Sequence, residues 1–209
     1  MDALVTYLVA ALAVLVVVVL LLVARARRTA RPGGLPPPRR SAGGGAAGGG
    51  AAESPRSGPL RLTPGDRVRI RGREYAVSAT IRLVEGDWSW VQHLLDDDSG
   101  THHRLSVEDG PELELVLWTA EPGATVTPGA PTIELGGRRY TWAETGQARY
   151  TATGETDLPS TGTMRYHDYQ SGGAARLSFE AYGEEGWRVA RGALLGPADL
   201  TIHPAPEVR

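Results

Sequence analysis

Beyond residue 60 the chain changes chemical character every second residue. Arg67-Val68-Arg69-Ile70-Arg71 alternates without a break, and Glu112-Leu113-Glu114-Leu115 repeats the pattern. Leu177 and Phe179 alternate in the same way with Arg176, Ser178 and Glu180. A strand sends successive side chains to opposite faces, so a period of two makes one apolar and one polar face. The expectation is that the apolar face turns inward and the charged face outward. Turn chemistry falls between these runs, at Glu85-Gly86-Asp87, Asp98-Ser99-Gly100, Asp109-Gly110, Gly136-Gly137, Ser171-Gly172-Gly173 and Glu184-Glu185-Gly186. Short strands punctuated by Gly and Asp predict an all-β, soluble domain: an antiparallel sandwich or barrel.

Residues 3–24 obey a different rule. They carry no charge, consist mainly of Leu, Val and Ala, and run directly into Arg25, Arg27, Arg28 and Arg31. As a helix they reach about 33 Å at the usual rise per residue, enough to cross a hydrocarbon core of about 30 Å. Asp2 precedes the run and arginines follow it, the reverse of a cleaved export signal. The segment is therefore expected to be one transmembrane helix, with the lipid bilayer as its partner. Basic residues favour the cytoplasmic side. The expected topology is single-pass in a cell membrane, N-terminus out and C-terminal domain cytoplasmic. Residues 25–59, with Pro36-Pro37-Pro38 and the Gly and Ala of 43–50, cannot bury enough apolar surface to offset their ordering entropy. They read as a disordered Arg-, Pro- and Gly-rich linker.

The β-rich domain is expected to span 60–205. Residues 60–209 carry 15 Arg against 22 Asp and Glu, a formal −7, whereas the first 59 carry 7 Arg against 2 acids. An acidic body argues against nucleic acid as a partner, because phosphates demand clustered cations. There is no Cys, which excludes disulfides, thiolate metal ligands and a cysteine nucleophile. A faint internal repeat divides the domain into halves of about 60–120 and 131–205. Gly72-Arg73-Glu74-Tyr75 resembles Gly137-Arg138-Arg139-Tyr140, 65 positions later, and Arg104-Leu105-Ser106 resembles Arg176-Leu177-Ser178, 72 positions later. The expected architecture is two similar β-meanders in one body. The second offset places Arg165 where the first half has His93.

The polar residues that could carry chemistry are few. His93 and His103 flank an acidic turn and could begin a metal site, but no third ligand is identifiable. His102 points to the opposite face from His103. The run Asp96-Asp97-Asp98 lacks the spacing of a calcium loop. His167-Asp168, beside Tyr166, could serve as an acid–base pair, yet no Gly-x-Ser-x-Gly turn supplies a strained serine. Trp88 and Trp90 share one face of a strand, in a core or in an open groove. The candidate binding surface is thus Trp88, Trp90, His93, His103, Tyr166, His167 and Asp168. No catalytic residue, cofactor or metal site is assigned.

Taken together, Gly65-Asp66-x-Val68, Gly72-x-x-Tyr75-x-Val77 and Trp88-x-Trp90-x-x-His93-Leu94-Leu95-Asp96-Asp97 resemble a bacterial family known as domain of unknown function 4178. Gly137-x-x-Tyr140, Gly154-x-Thr156, Tyr166-x-Asp168-Tyr169 and Leu177-Ser178-Phe179-Glu180 extend the likeness over nearly the whole soluble body. The resemblance implies a β-rich domain common in membrane-associated bacterial proteins, and it carries no established activity or catalytic residue. The leading expectation is a non-enzymatic, membrane-anchored binding or scaffold module with a membrane or cytoplasmic protein partner. Two alternatives stand beside it. One is a small-molecule sensor, for instance of a polyamine held by cation–π and carboxylate contacts. The other is a metal-dependent or acid–base enzyme.

Overall fold

A computed structural model describes residues 58–203, apart from Asp98 and Pro111. The expected anchor, and the linker up to residue 57, lie outside these residues. Among the described residues there are eleven strands and two three-residue 3-10 turns, and no helix is long and apolar enough to cross a membrane. The first half contributes β1 (Arg67–Ile70), β2 (Arg73–Glu85), β3 (Trp88–Asp96), β4 (His103–Asp109) and β5 (Leu113–Ala120). The second contributes β6 (Thr132–Leu135), β7 (Arg138–Gly154), β8 (Thr161–Gln170), β9 (Ala175–Tyr182) and β10 (Arg188–Leu195), and β11 (Leu200–His203) follows. The glycine of each turn signal read from the sequence falls between consecutive strands. The β1–β2 turn at Arg71-Gly72 and the β7–β8 connection lie outside those turn signals.

All pairings are antiparallel, and the sheet closes on itself. Each half is a meander, β5 pairs with β10, and β2 pairs with β7. The ring β2-β3-β4-β5-β10-β9-β8-β7 is therefore an eight-stranded barrel, of the two architectures the one that removes most free edges. The strands β1 with β11, and β6, are wings outside the ring. β2 pairs with β1 over Arg73–Ala76, then with β7 over Ala79–Val84. β7 repeats this, pairing with β6 over Arg138–Thr141 and then with β2.

A β-bulge makes each handover possible. The register shifts between Val77 and Ala79 in β2, and between Trp142 and Glu144 in β7; the two shifts lie 65 positions apart. One extra residue turns the following side chains to the other face of the sheet. Tyr75 and Val77 thus join a core under the first wing with Val68, Leu95, Leu105 and Val107. Ile81 and Leu83 instead enter the barrel with Trp90, Tyr150, Met164 and Tyr166. In the second half Tyr140 packs outside the ring with Tyr169, Leu177 and Phe179, whereas Ala148, Tyr150 and Ala152 lie inside.

β9 reverses the expected facing. Its apolar residues Leu177 and Phe179 belong to the core outside the ring, and Ser178 and Glu180 are buried too. Directly opposed residues of an antiparallel pair share a face, and Ser178 stands opposite Asp168 while Glu180 stands opposite Tyr166. The polar face of this strand lines the barrel. The charged-outward expectation fails here because both faces of the wall are covered.

Interior volume is matched across the rungs. Gly192 stands opposite Trp118 and Gly146 opposite Tyr166. A β-carbon on Gly192 would sit 2.6 Å from the Trp118 ring, and one on Gly146 would sit 2.5 Å from the Tyr166 hydroxyl. Overpacking of this kind costs about 1–3 kcal/mol. Gly192→Ala should lower the urea midpoint accordingly, whereas Gly183→Asn, at an open left-handed turn position (φ +56°), should leave it within about 0.5 kcal/mol, as Asn tolerates that backbone.

Candidate functional site

The barrel interior is apolar toward one end and carries a hydrogen-bonded polar network beside it. Gln92 Nε2 donates to Glu180 Oε1 at 2.7 Å, and Arg104 donates to the same oxygen at 2.8 Å. The Tyr182 hydroxyl lies 3.1 Å from Glu180 Oε2 and 3.2 Å from Gln92 Oε1. β3 and β4 are separated from β9 by other strands of the ring, so the bonds that Gln92 and Arg104 make to β9 cross the lumen. They satisfy a carboxylate that burial alone would penalise heavily. Arg104 also lies over the Trp118 ring at 5.1 Å, and Trp118 Nε1 donates to Ser106. Tyr166 donates to Glu85 Oε2 at 2.7 Å. Burial, with the carboxylates of Glu144 and Glu85, raises its phenol above the ordinary range.

Asp168 joins this lining through its place opposite Glu144 and Ser178. Its Oδ1 is sealed from solvent and has no hydrogen-bond partner. Desolvation pushes its pKa up to about 7; a hydrogen bond from Ser178 opposes the shift, and Glu144 and Glu180 reinforce it. The group is therefore partly protonated at neutral pH.

Of the residues singled out from the sequence, Trp88, Trp90, Tyr166 and Asp168 come together on this inner face. Trp88 stacks on Trp90 at 4.5 Å, and Trp90 meets Tyr166 edge-on at 5.7 Å. The three histidines lie on the outer face. His93 and His103 share that face, but His93 stands opposite Leu105 while His103 stands opposite Leu95. His93 is sealed: Nδ1 is 3.0 Å from Thr80 Oγ1 and Nε2 is 2.8 Å from the Pro59 carbonyl. Because that carbonyl only accepts, Nε2 carries the hydrogen. Burial lowers the His93 pKa to about 4. His103 pairs with Thr119 and lies 3.6 Å from Asp97. His167 pairs with Thr145 and touches Trp187. Among the described residues no group of three or more His, Asp or Glu is placed to hold a metal ion.

Sequence reasoning missed Gln92, Arg104, Glu180 and Tyr182. The available signal was Glu180 inside the run Leu177–Tyr182, a stretch too apolar for an ordinary exposed charge.

The family model described as Domain of unknown function (DUF4178) matches residues 63–197, a span that contains every strand of the ring. The chain belongs to the DUF4178 family. Uncharacterized proteins of Mycobacterium bovis and Mycobacterium tuberculosis are 35% identical to it over 161 residues, covering 74% of this chain and 77% of theirs. No solved structure matches it.

Two opposed pH slopes follow from this DUF4178 barrel. The unfolded chain protonates His93 near 6.5 and the folded chain near 4, so acidification through that window removes stability, by up to about 3 kcal/mol. Asp168 works in reverse. The folded state keeps its proton from 3.8 up to about 7, so stability falls as pH rises through that window. Urea titrations at pH 4.5–8 should show Asp168→Asn gaining most over the parent at pH 8 and little at pH 4.5. His93→Gln should lack the acid-side loss. Arg104→Ala should cost about 3–5 kcal/mol, because it strands a buried carboxylate.

Proposed function

We propose that this protein is a membrane-tethered, non-enzymatic binding module whose barrel engages a protein partner at the cytoplasmic face. The observation that carries this reading is the uncharged run of residues 3–24 with arginines at 25, 27, 28 and 31 behind it. The barrel supports it as a body rather than a reaction vessel. Its lumen is lined by buried apolar side chains such as Ile81, Leu83, Trp90 and Met164, and Glu180 is paired with Arg104 and hydrogen-bonded by Gln92 and Tyr182.

The test combines topology with capture. In intact cells or spheroplasts, the full-length chain should fractionate with membranes, and protease added outside should leave the barrel uncut. Crosslinking in mild detergent should then enrich a protein over a control made of residues 1–57 alone. A chain recovered in the soluble pool, or no enrichment over that control, overturns the proposal.

A second reading is a binder of a small organic cation. A hollow of about 610 Å³ opens beside the lumen, where Tyr150 and Tyr182 of the barrel interior meet Gly162, Gly183, Glu184 and Glu185. Aromatic faces beside carboxylates suit an ammonium group. Spermidine at about a hundred times its dissociation constant should then stabilise the fold by roughly 2.7 kcal/mol. A melting temperature unmoved by spermidine across the millimolar range removes this reading.

A further inference from the structure

The strand registers relate the two halves differently from the sequence repeat. Thr80 stands opposite His93, and Thr145 stands opposite His167, each pair directly after its bulge. His93 stands next opposite Leu105, and His167 opposite Phe179. The offsets are therefore 65 in β2 and β7 but 74 in β3, β4, β8 and β9. His167, not Arg165, is the counterpart of His93.

The two Thr–His pairs share their chemistry but differ in what covers them. Trp142 Nε1 donates to Thr145 Oγ1 at 2.9 Å, and Thr145 Oγ1 lies 2.7 Å from His167 Nδ1. An indole only donates, so the threonine hydroxyl is free to donate its hydrogen to Nδ1, which leaves the hydrogen of the neutral ring on Nε2. His93 has the same tautomer. In the first half, residues 58–62 (Gly-Pro-Leu-Arg-Leu) cover the pair. The Pro59 carbonyl accepts from His93 Nε2, Thr80 Oγ1 lies 3.3 Å from the Leu62 carbonyl, and Leu62 is buried. In the second half His167 is only half-buried. Its ring meets the edge of Trp187 at 5.0 Å, and the Arg165 guanidinium lies over that indole at 5.4 Å.

We propose that the outer face around His167 docks an extended, proline-bearing segment of a partner protein, with His167 Nε2–H donating to one of its main-chain carbonyls. The covered twin identifies the occupant: the same donor at the equivalent position already holds a carbonyl from a proline-led stretch of this chain. Trp187 adds the aromatic wall on which proline-rich segments pack, and Arg165 supplies a second donor. This rests on the binding-module reading and names its contact surface.

The test needs no partner in hand. Full-length chain labelled with 15N-histidine, in detergent micelles, is titrated with the peptide Gly-Pro-Leu-Arg-Leu. The five histidines each give one Nδ1 and one Nε2 signal. The His167 Nε2 signal should shift saturably, with binding detectable at about 1 mM, and His93 should not move. Thr145→Val and Trp187→Ala should each weaken binding about two- to tenfold, the size of one lost contact. A His167 signal that stays fixed, or equal binding by both variants, overturns the site. In the capture experiment His167→Gln should reduce partner recovery. Undiminished capture overturns the docking site but leaves the binding-module reading standing, whereas a wild-type chain that captures nothing overturns that reading.

Discussion

The pairing of β2 with β7 is the contact on which the rest depends. Those strands lie about 70 positions apart, and their ladder over Ala79–Val84 and Arg149–Gly154 turns two meanders into one closed wall. Without it the halves would each present a long unpaired edge, the condition that invites aggregation. The bulges near Ser78 and Ala143 allow each strand to leave its wing and join the other half. Closure also creates the lumen, and with it the need to satisfy every polar group that the ring turns inward.

The lumen meets that need in two ways. Around Glu180, donors from three other side chains converge on one carboxylate, which makes the polar core a specific set of contacts rather than a buried charge. A network of that kind rigidifies when complete and is costly when a member is lost. Asp168 is handled through protonation instead, because its Oδ1 has no donor within reach. His93 shows the complementary solution on the outer face, where burial keeps the imidazole neutral and one tautomer serves two fixed partners.

The repeat was legible in part. The offset of 65 between the first hairpins is the same one that separates the bulges. The offset of 72 in the later strands aligns Arg104-Leu105-Ser106 with Arg176-Leu177-Ser178 by residue type, not by ladder position. Register follows from hydrogen-bonded rungs and loop geometry, and the rungs give 74. That two-position difference hid the kinship of His93 and His167. Among the candidate residues, the shared face of Trp88 and Trp90 and the opposite facing of His167 and Asp168 follow from strand geometry alone. The lumen network does not, since Gln92, Arg104 and Glu180 come from three strands with no common motif.

What the sequence alone determined is local. Alternation and turn residues specify strands and hairpins, because the pleat is a property of the backbone. The motifs specify membership of the DUF4178 family, and residues 3–24 form an uncharged, apolar run. Only the tertiary structure decided which face of each strand is interior. Leu177 and Glu180 sit in one strand, and both are buried, one under a wing and one inside the ring. The choice rests on pairings between distant strands and on a single extra residue at each bulge, and no local pattern encodes either.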